Sequence, residues 1–501
     1  LEIASISGDT VLLLYHPAQT AADVGQQFTL MEVPERTEGL VVQVISNDSL
    51  EYVGLQQEMI QHILERRISR QTQAPVDRER GMGEIKSLKV ATAKIRKRIQ
   101  NNAWHAWDGW IPTRNVEISQ IGAGTLLENI MPSAHLPIRS FVRLNESTPM
   151  QFDGPRLRTV NVITGVKGSG KSHLAKHLVL ALSERRIPVI VFDLNGEYLG
   201  LPNCQELCWA QNLVLNLGEV GYRVLEKLVR TLYPLPSGQP SEAVFEHQLP
   251  IFFREREDYC RRQGTPLRID IPYLINQNWE GGDYVVRAIR TRLGVIDERN
   301  LFWREHPRTV DQNITPFYAT PTPPSFQIIY DSACEGRPVI FDMRDIPNSL
   351  QKALASSMVN FLQDICEREA DGQGRYPFVF FEEAHFYVED ILNLITRGRH
   401  IGIASVFVTN TPQELPEAVF RQLDNLFLLA LAHKDDIRNV SRNSFTDQDT
   451  IESFATRMPE RHALIIGDVT DRYPLVVAVD PLPADVPPSG RTRSTWDRFT
   501  T

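Results

Sequence analysis

The stretch Thr159-Val-Asn-Val-Ile163, followed at once by Gly165-Val-Lys-Gly-Ser-Gly-Lys171-Ser172, decides the fold. Its first five residues form a mostly apolar, β-branched run of the kind that fills a buried strand. The next eight match G-x-x-x-x-G-K-[ST] in full, and a helical pattern continues from Ser172 to Leu182. A strand, a glycine-rich turn and a helix N-terminus in this order turn backbone N–H groups inward around phosphate. Lys171 is expected to reach the β- and γ-phosphates of ATP, and the Ser172 hydroxyl to bind Mg²⁺. The candidate nucleotide contacts are therefore Gly165, Val166, Lys167, Gly168, Ser169, Gly170, Lys171 and Ser172, with His173 on the first turn of the helix.

Working outward, further buried-type runs occupy Pro188 to Asp193, Pro338 to Asp342, Pro377 to Phe381, Ala404 to Thr409 and Leu426 to Leu431, with helical patterns between them. That alternation predicts an α/β fold with a parallel sheet covered on both faces. Three of these strands end in polar residues suited to phosphate chemistry. Phe378-Val-Phe-Phe-Glu382-Glu383-Ala-His385 supplies two acids. Glu382 is expected to orient the metal's water shell, and Glu383 to polarise the attacking water. The strand ending at Asp193 is expected beside the P-loop strand, so that Asp193 and Glu197 either face the nucleotide edge or cap the loop. Asn410 ends another strand, where it can sense the γ-phosphate. Arg397 and Arg399 precede that strand and are either ordinary surface arginines or cations aimed at a neighbouring subunit's nucleotide.

Toward the N-terminus, Val11 to Tyr15, Phe28 to Val33 and Leu40 to Ile45 read as short strands of a small barrel. Two helices are expected next. One spans Leu55 to Ile68; the other has Ile85, Leu88, Thr92, Ile95 and Ile99 as its buried stripe. The second carries Lys86, Lys89, Lys94, Arg96, Lys97 and Arg98, which form a solvated face or a contact with nucleic acid. Trp104, Trp107 and Trp110 suit packing between the barrel and the core, or stacking on bases. Ile118 to Leu127 and Ser140 to Leu144 are expected to return the chain to the barrel. The resulting division is a barrel over 1–54 and about 116–150 with a helical insertion over 55–115. An ATP-binding core follows over 151–204 and 326–482, with an inserted helical subdomain over 205–325 and a tail over 483–501. In the subdomain, Tyr284 to Leu293 carries Arg287, Arg290 and Arg292 and is a candidate pore lining.

A length of 501 residues calls for more than one domain, and 42% hydrophobic with 23% charged residues is a globular composition. A net charge of −9 excludes a globally basic nucleic-acid coat but not a local basic channel. No apolar run is long enough to cross a membrane, and no signal peptide opens the chain. The chain begins at Leu1, so a few residues are expected to precede it. Five scattered cysteines fit a reducing compartment, and a cytoplasmic location is expected. Cys204 and Cys208 form a lone C-x3-C, read as buried thiols and not as a metal site.

Together the P-loop, Asp193-Leu-Asn-Gly-Glu197-Tyr198, the Glu-Glu-Ala-His phrase and the Gly-Arg before the Asn410 strand resemble the HerA–FtsK branch of P-loop motor ATPases, HerA most closely. Arg461-His-Ala-Leu-Ile-Ile-Gly467 and Tyr473 to Val479 resemble that family's closing hairpin. The resemblance covers about 155–200 and 335–482, and residues 1–50 look like the family's N-terminal barrel. It implies a RecA-like ATPase core and a homohexameric ring that drives double-stranded DNA through a pore. It also implies Lys171 and Ser172 as the P-loop pair, Glu383 as the catalytic acid, and Arg399, with Arg397 second, as the finger. Relatives work with a nuclease such as NurA, or with sirtuin-type NADase and other antiviral effectors, docked on the barrel. Two positions depart from the pattern. Glu382 replaces the usual Asp, moving its carboxylate by roughly 1 Å, and Asn410 replaces the usual Gln. Both suit a slower ATPase, and Glu382 with the helical insertion favours a second reading, a ring that is chiefly a scaffold for an effector. A coupling ATPase for secretion or conjugation is the third reading, disfavoured by the lack of membrane helices.

Overall fold

The computed structural model describes residues 1–17, 20–49, 89–113, 115–131, 135–208, 213–232, 234–235, 239–298, 302–305, 326–344, 346, 348–368, 376–386, 402–443 and 445–488. The helix expected over 55–68, Lys86, Arg397, Arg399 and the tail beyond residue 488 lie outside them. Two compact units are built from the chain. One draws on 1–135, 142–152 and 430–479, the other on 136–141, 153–429 and 480–501.

The first unit opens with β1 (Glu2–Ser7), β2 (Thr10–Tyr15), β3 (Gln27–Glu32), β4 (Glu38–Ser49), β5 (Lys89–Gln100), β6 (Ala103–Ala106) and β7 (Val116–Gln120). They form an antiparallel half-barrel in the order β1-β2-β5-β4-β3-β7, with β6 on β5. Period-two patterning explains it. Val11, Leu13 and Tyr15 of β2, Leu40, Val42 and Val44 of β4, and Ala91, Ala93 and Ile95 of β5 point to one face and make the core. Each fully buried aliphatic side chain contributes about 1.5–3 kcal/mol. Trp107 and Trp110 pack against this same core. Two short strands follow, β8 (Val142–Leu144) and β9 (Thr148–Met150).

The helix expected over 85–99 is corrected: Lys89–Gln100 is the strand β5. Ile95 and Ile99 are four residues apart, a spacing that shares a face in a strand as well as in a helix, so they do not discriminate. The alternation of Ala91 and Ala93 with Lys94, Arg96 and Arg98 is the signal that does. Four of its charges are engaged within the protein, while Lys89 is exposed. Lys94 pairs with Asp9 at 3.0 Å, Arg96 with Asp447 at 3.2 Å, Lys97 with Asp471, and Arg98 with Glu38 at 3.1 Å and with Asp108. Of the two stretches expected to return to the barrel, Val116–Gln120 pairs with β3. Ala123–Ile130 is a helix, and β8 pairs with β9 and with a C-terminal strand instead.

The second unit holds β10 (Val160–Thr164), β11 (Val189–Asp193), β12 (Gln205–Cys208), β13 (Val339–Asp342), β14 (Phe378–Glu382), β15 (Ala404–Thr409) and β16 (Asn425–Leu428). Their order is β12-β13-β11-β14-β15-β10-β16, all parallel. Register is fixed by a ladder of stacked rings. Phe341, Phe192, Phe381 and Phe407 come from four adjacent strands, with successive centroids 5.2, 5.5 and 5.6 Å apart. One residue further on, the same register sets Asp342 beside Asp193, with Glu382 ending the next strand. The helix Lys171–Glu184 packs on the sheet with residues 174–182 buried. The strand Gln205–Cys208 lies within the span read as the helical subdomain, which otherwise carries helices including Pro240–Gln263 and Asp283–Glu298. Cys204 and Cys208 are not disulfide-bonded, and among the described residues no cluster of His, Cys, Asp or Glu forms a metal cage.

The chain closes the first unit with the antiparallel hairpin β17 (His462–Gly467) and β18 (Leu475–Val479), and β18 receives β8. Among the described residues no helix is long and apolar enough to cross a membrane.

Candidate nucleotide site

The P-loop links β10 to the helix Lys171–Glu184, as its spacing requires. Gly170, the helix N-cap, has φ +106, a conformation that side-chain-bearing residues rarely adopt, and a Cβ there would meet Leu429 Cδ2 at 3.4 Å. The loop bends back far enough for Lys171 Nζ to donate to the carbonyls of Gly165 at 2.9 Å and Val166 at 3.0 Å. Burial lowers the Lys171 pKa, and the charges of Glu383, Glu382 and Glu197 oppose that shift. Ser172 and His173 occupy the helix's first turn, and His173 Nε2 lies 2.8 Å from the carbonyl of Asp480.

The sheet order corrects one expectation. β11 is not beside the P-loop strand, because β14 and β15 lie between them. At the ordinary spacing of parallel strands Asp193 starts roughly 14 Å along the sheet from β10. Its carboxylate accepts the N–H groups of Glu197 at 3.0 Å and Tyr198 at 2.8 Å, so it caps its own turn. Glu197 acts on Lys171 through its charge. The strands flanking the P-loop strand are β15 and β16, which places the Asn410 turn between Lys171 and the two acids.

Glu382 ends β14 and is 4% exposed. Burial first, then the adjacent charge of Asp193 and a hydrogen bond to its carboxyl, push the Glu382 pKa well above the carboxylate range. Glu383 follows with φ +48, a left-handed conformation that is strained for a glutamate. Its Oε1 accepts from Asn410 Nδ2 at 3.2 Å, and His385 Nδ1 stands 3.7 Å from its Oε2. The structure thus brings together Lys171, Glu382, Glu383 and Asn410. Two residues that sequence reading missed join them: Asn195, which touches Glu382, and Arg344, which lies over the Asp193–Tyr198 turn. The Asp-Leu-Asn-Gly-Glu-Tyr phrase drew notice to its acids, and nothing in the linear pattern ties residue 344 to it.

Ser169 Oγ and Glu383 Oε2 are buried without a hydrogen-bond partner, unsatisfied polar atoms of the kind a polar ligand pairs. Ser172 and Glu382 offer only oxygen donors, the set that suits a hard divalent cation taking one or two protein ligands beside substrate phosphates. A P-loop with its lysine, a buried acid, a second acid in reach of an amide and a parallel RecA-like sheet define a P-loop ATPase.

The second step comes from comparison. Residues 142–250 of this P-loop ATPase match the family described as Helicase HerA, central domain. Among solved structures the chain is similar to VirB4 of Thermoanaerobacter pseudethanolicus, with 16% identity over 70% of this chain and 98% of that one, at a TM-score of 0.48. It is also similar to the bacterial conjugative coupling protein TrwB lacking its first 70 residues, with 13% identity over 74% and 94% of the two chains, at 0.45. A third is the genome packaging NTPase B204 of Sulfolobus turreted icosahedral virus 2, with 11% identity over 65% and 99%, at 0.32. No curated protein matches the sequence.

Proposed function

We propose that the chain is an ATP-hydrolysing ring motor that translocates or unwinds double-stranded DNA. The observation that carries the reading is the convergence of Lys171, Glu383 and Asn410 at the ends of neighbouring strands. The match of residues 142–250 to a helicase central domain supports the motor class. In this reading the loop from Gly165 to Ser172 cradles the phosphates, with His173 on the helix's first turn. Mg²⁺, held by Ser172 and Glu382, would neutralise charge on the β- and γ-phosphates. Glu383 accepts a proton from the attacking water, and Asn410 orients Glu383 until the γ-phosphate arrives. Glu197 adds to the negative charge facing Lys171.

The working form is a homohexamer in the cytoplasm. Arg399, with Arg397 second, acts across the subunit boundary. A nuclease, a sirtuin-type NADase or a similar effector docks on the N-terminal half-barrel in antiviral defence or DNA repair. Arg287 and Arg290 are exposed on the helix Asp283–Glu298 and are the candidates for the pore. The test is ATP hydrolysis with and without duplex DNA over a salt series. A motor is stimulated by duplex, and the stimulation fades at high salt as phosphate contacts weaken. Hydrolysis indifferent to duplex at every salt concentration rejects the motor reading.

One observation favours a second reading, a slow ATPase that scaffolds an effector. Glu383 is held by Asn410 and Glu382 by Asp193, so both acids must be released before they act. A turnover unaffected by DNA but raised by an effector protein is the outcome that would select it.

A further inference from the structure

Glu382 has a neighbour that the catalytic set does not explain. Asn195, in the turn after β11, donates its backbone N–H to Glu382 Oε2 at 3.3 Å. Its side-chain Nδ2 stands 3.5 Å from Oε1, at the long limit of a hydrogen bond. Both contacts leave the turn. The turn needs neither of them to close, because Asp193 already accepts the N–H groups of Glu197 and Tyr198, and its carbonyl accepts Met343 N–H at 2.9 Å. Asn195 is also exposed, so packing does not account for it.

The other side of the turn is held by Arg344. Its guanidinium grips Asp342 through Nε at 2.9 Å and Nη2 at 2.7 Å. It lies so close over Gly196 that a Cβ there would come within 2.8 Å of Cζ. Gly196 has φ +72, a conformation that favours glycine, and the Arg344 guanidinium covers the space that a Cβ would take. A connected path therefore runs from Arg344, two residues after β13, through Gly196 and Asn195, to the acid that ends β14.

We infer that Asn195 is a positioning residue that aims the Glu382 carboxylate, and that Arg344 over Gly196 holds the turn carrying it. The inference rests on the reading of Glu382 as the metal-side acid. Glutamate has one more rotatable bond than aspartate, so a carboxylate on the longer arm needs an added constraint to present one geometry. Two N–H groups from a single residue, one to each carboxylate oxygen, supply it. This turn is what makes glutamate workable at a position where the shorter acid is stiffer.

The experiment is a double-mutant cycle on the full-length protein. Mn²⁺ affinity is read by electron paramagnetic resonance with a non-hydrolysable ATP analogue present, beside the apparent Mg²⁺ constant for hydrolysis and the unfolding midpoint. Asn195→Ala should weaken Mn²⁺ binding about fivefold, the scale of one ordinary hydrogen bond, as suits a contact at the long limit. Metal-free nucleotide affinity and the midpoint should hold. Arg344→Gln should shift Mn²⁺ binding in the same direction. In a Glu382→Asp background the shorter carboxylate no longer reaches Asn195, and Asn195→Ala should add nothing. Unchanged Mn²⁺ binding in Asn195→Ala, or the same factor in both backgrounds, overturns the inference. Glu382→Gln separates the two failures. If it leaves Mn²⁺ binding intact, the metal role of Glu382 falls and the inference with it. If it abolishes binding while Asn195→Ala is silent, only the inference falls.

Discussion

Asn410 Nδ2 donates to Oε1 of Glu383 across 3.2 Å, joining the residues that follow two adjacent parallel strands, β14 and β15. The amide offered to the nucleotide is thus already engaged with the acid offered to water. Glu383→Gln should retain ATP binding and hydrolyse at least about a hundredfold more slowly, the scale of a lost general base. Asn410→Ala should cost less. The double variant should be no slower than Glu383→Gln alone, because residues acting as a unit are non-additive. Single-turnover rates with saturating ATP measure all three. Full additivity would falsify the link.

Lys171 donates to the P-loop carbonyls of Gly165 and Val166, and burial lowers its pKa. Lys171→Ala should abolish hydrolysis and weaken ATP binding, as followed by fluorescent-nucleotide titration. A variant turning over at the parental rate would mean that another loop binds the phosphates.

Arg96 is a structural cation. It is 8% exposed, burial lowers its pKa, and it reaches both Asp447 at 3.2 Å and Thr450 Oγ1 at 2.7 Å. Arg96→Ala removes one charged partner of Asp447, which keeps Lys94 at 3.9 Å and the Thr450 donors, and should destabilise the first unit by about 1.5–3 kcal/mol in denaturant titration. The salt dependence of DNA binding should not change, since the residue is not free to meet phosphate. A lower salt slope with unchanged stability would restore the nucleic-acid reading of this strand.

Glu219 gives a pH prediction. Burial raises its pKa from 4.5 to about 7, and a hydrogen bond from Phe326 N–H only partly offsets the shift. The folded form therefore binds this proton more tightly than the unfolded form. The stabilisation is complete below pH 4.5 and is lost as pH rises through about 7. Glu219→Gln should flatten that decline, seen as a thermal unfolding midpoint that changes less between about pH 4 and about pH 8, on either side of the window. An equal slope in parent and variant removes Glu219 as the cause.

The finger proposal predicts complementation. Arg399→Ala and Lys171→Ala subunits are each expected to be inactive, while mixed rings contain interfaces pairing an intact P-loop with an intact arginine. Partial activity in mixtures supports action in trans, on the scale of about 10³–10⁵ in rate for such cations. Full activity of Arg399→Ala alone passes the role to Arg397 or elsewhere.

The sequence by itself determined the nucleotide loop and the parallel core. Gly165 to Ser172 act through backbone geometry that their spacing dictates, and runs such as Val189–Asp193 and Ala404–Thr409 are too apolar to lie anywhere but inside a sheet covered on both faces. It left β5 ambiguous, because residues four apart share a face in either helix or strand, and only pairing with β2 and β4 decided between them. The strand order was not legible at all. Which strands neighbour β10 depends on crossovers between segments hundreds of residues apart, and local pattern carries no record of them. Tertiary structure therefore decided that Asp193 caps its own turn away from the P-loop strand. It also decided that Asn410 meets Glu383 and that Arg344 comes to rest on Gly196. Local chemistry fixes what each residue is able to do, and long-range packing alone fixes which residue it does it to.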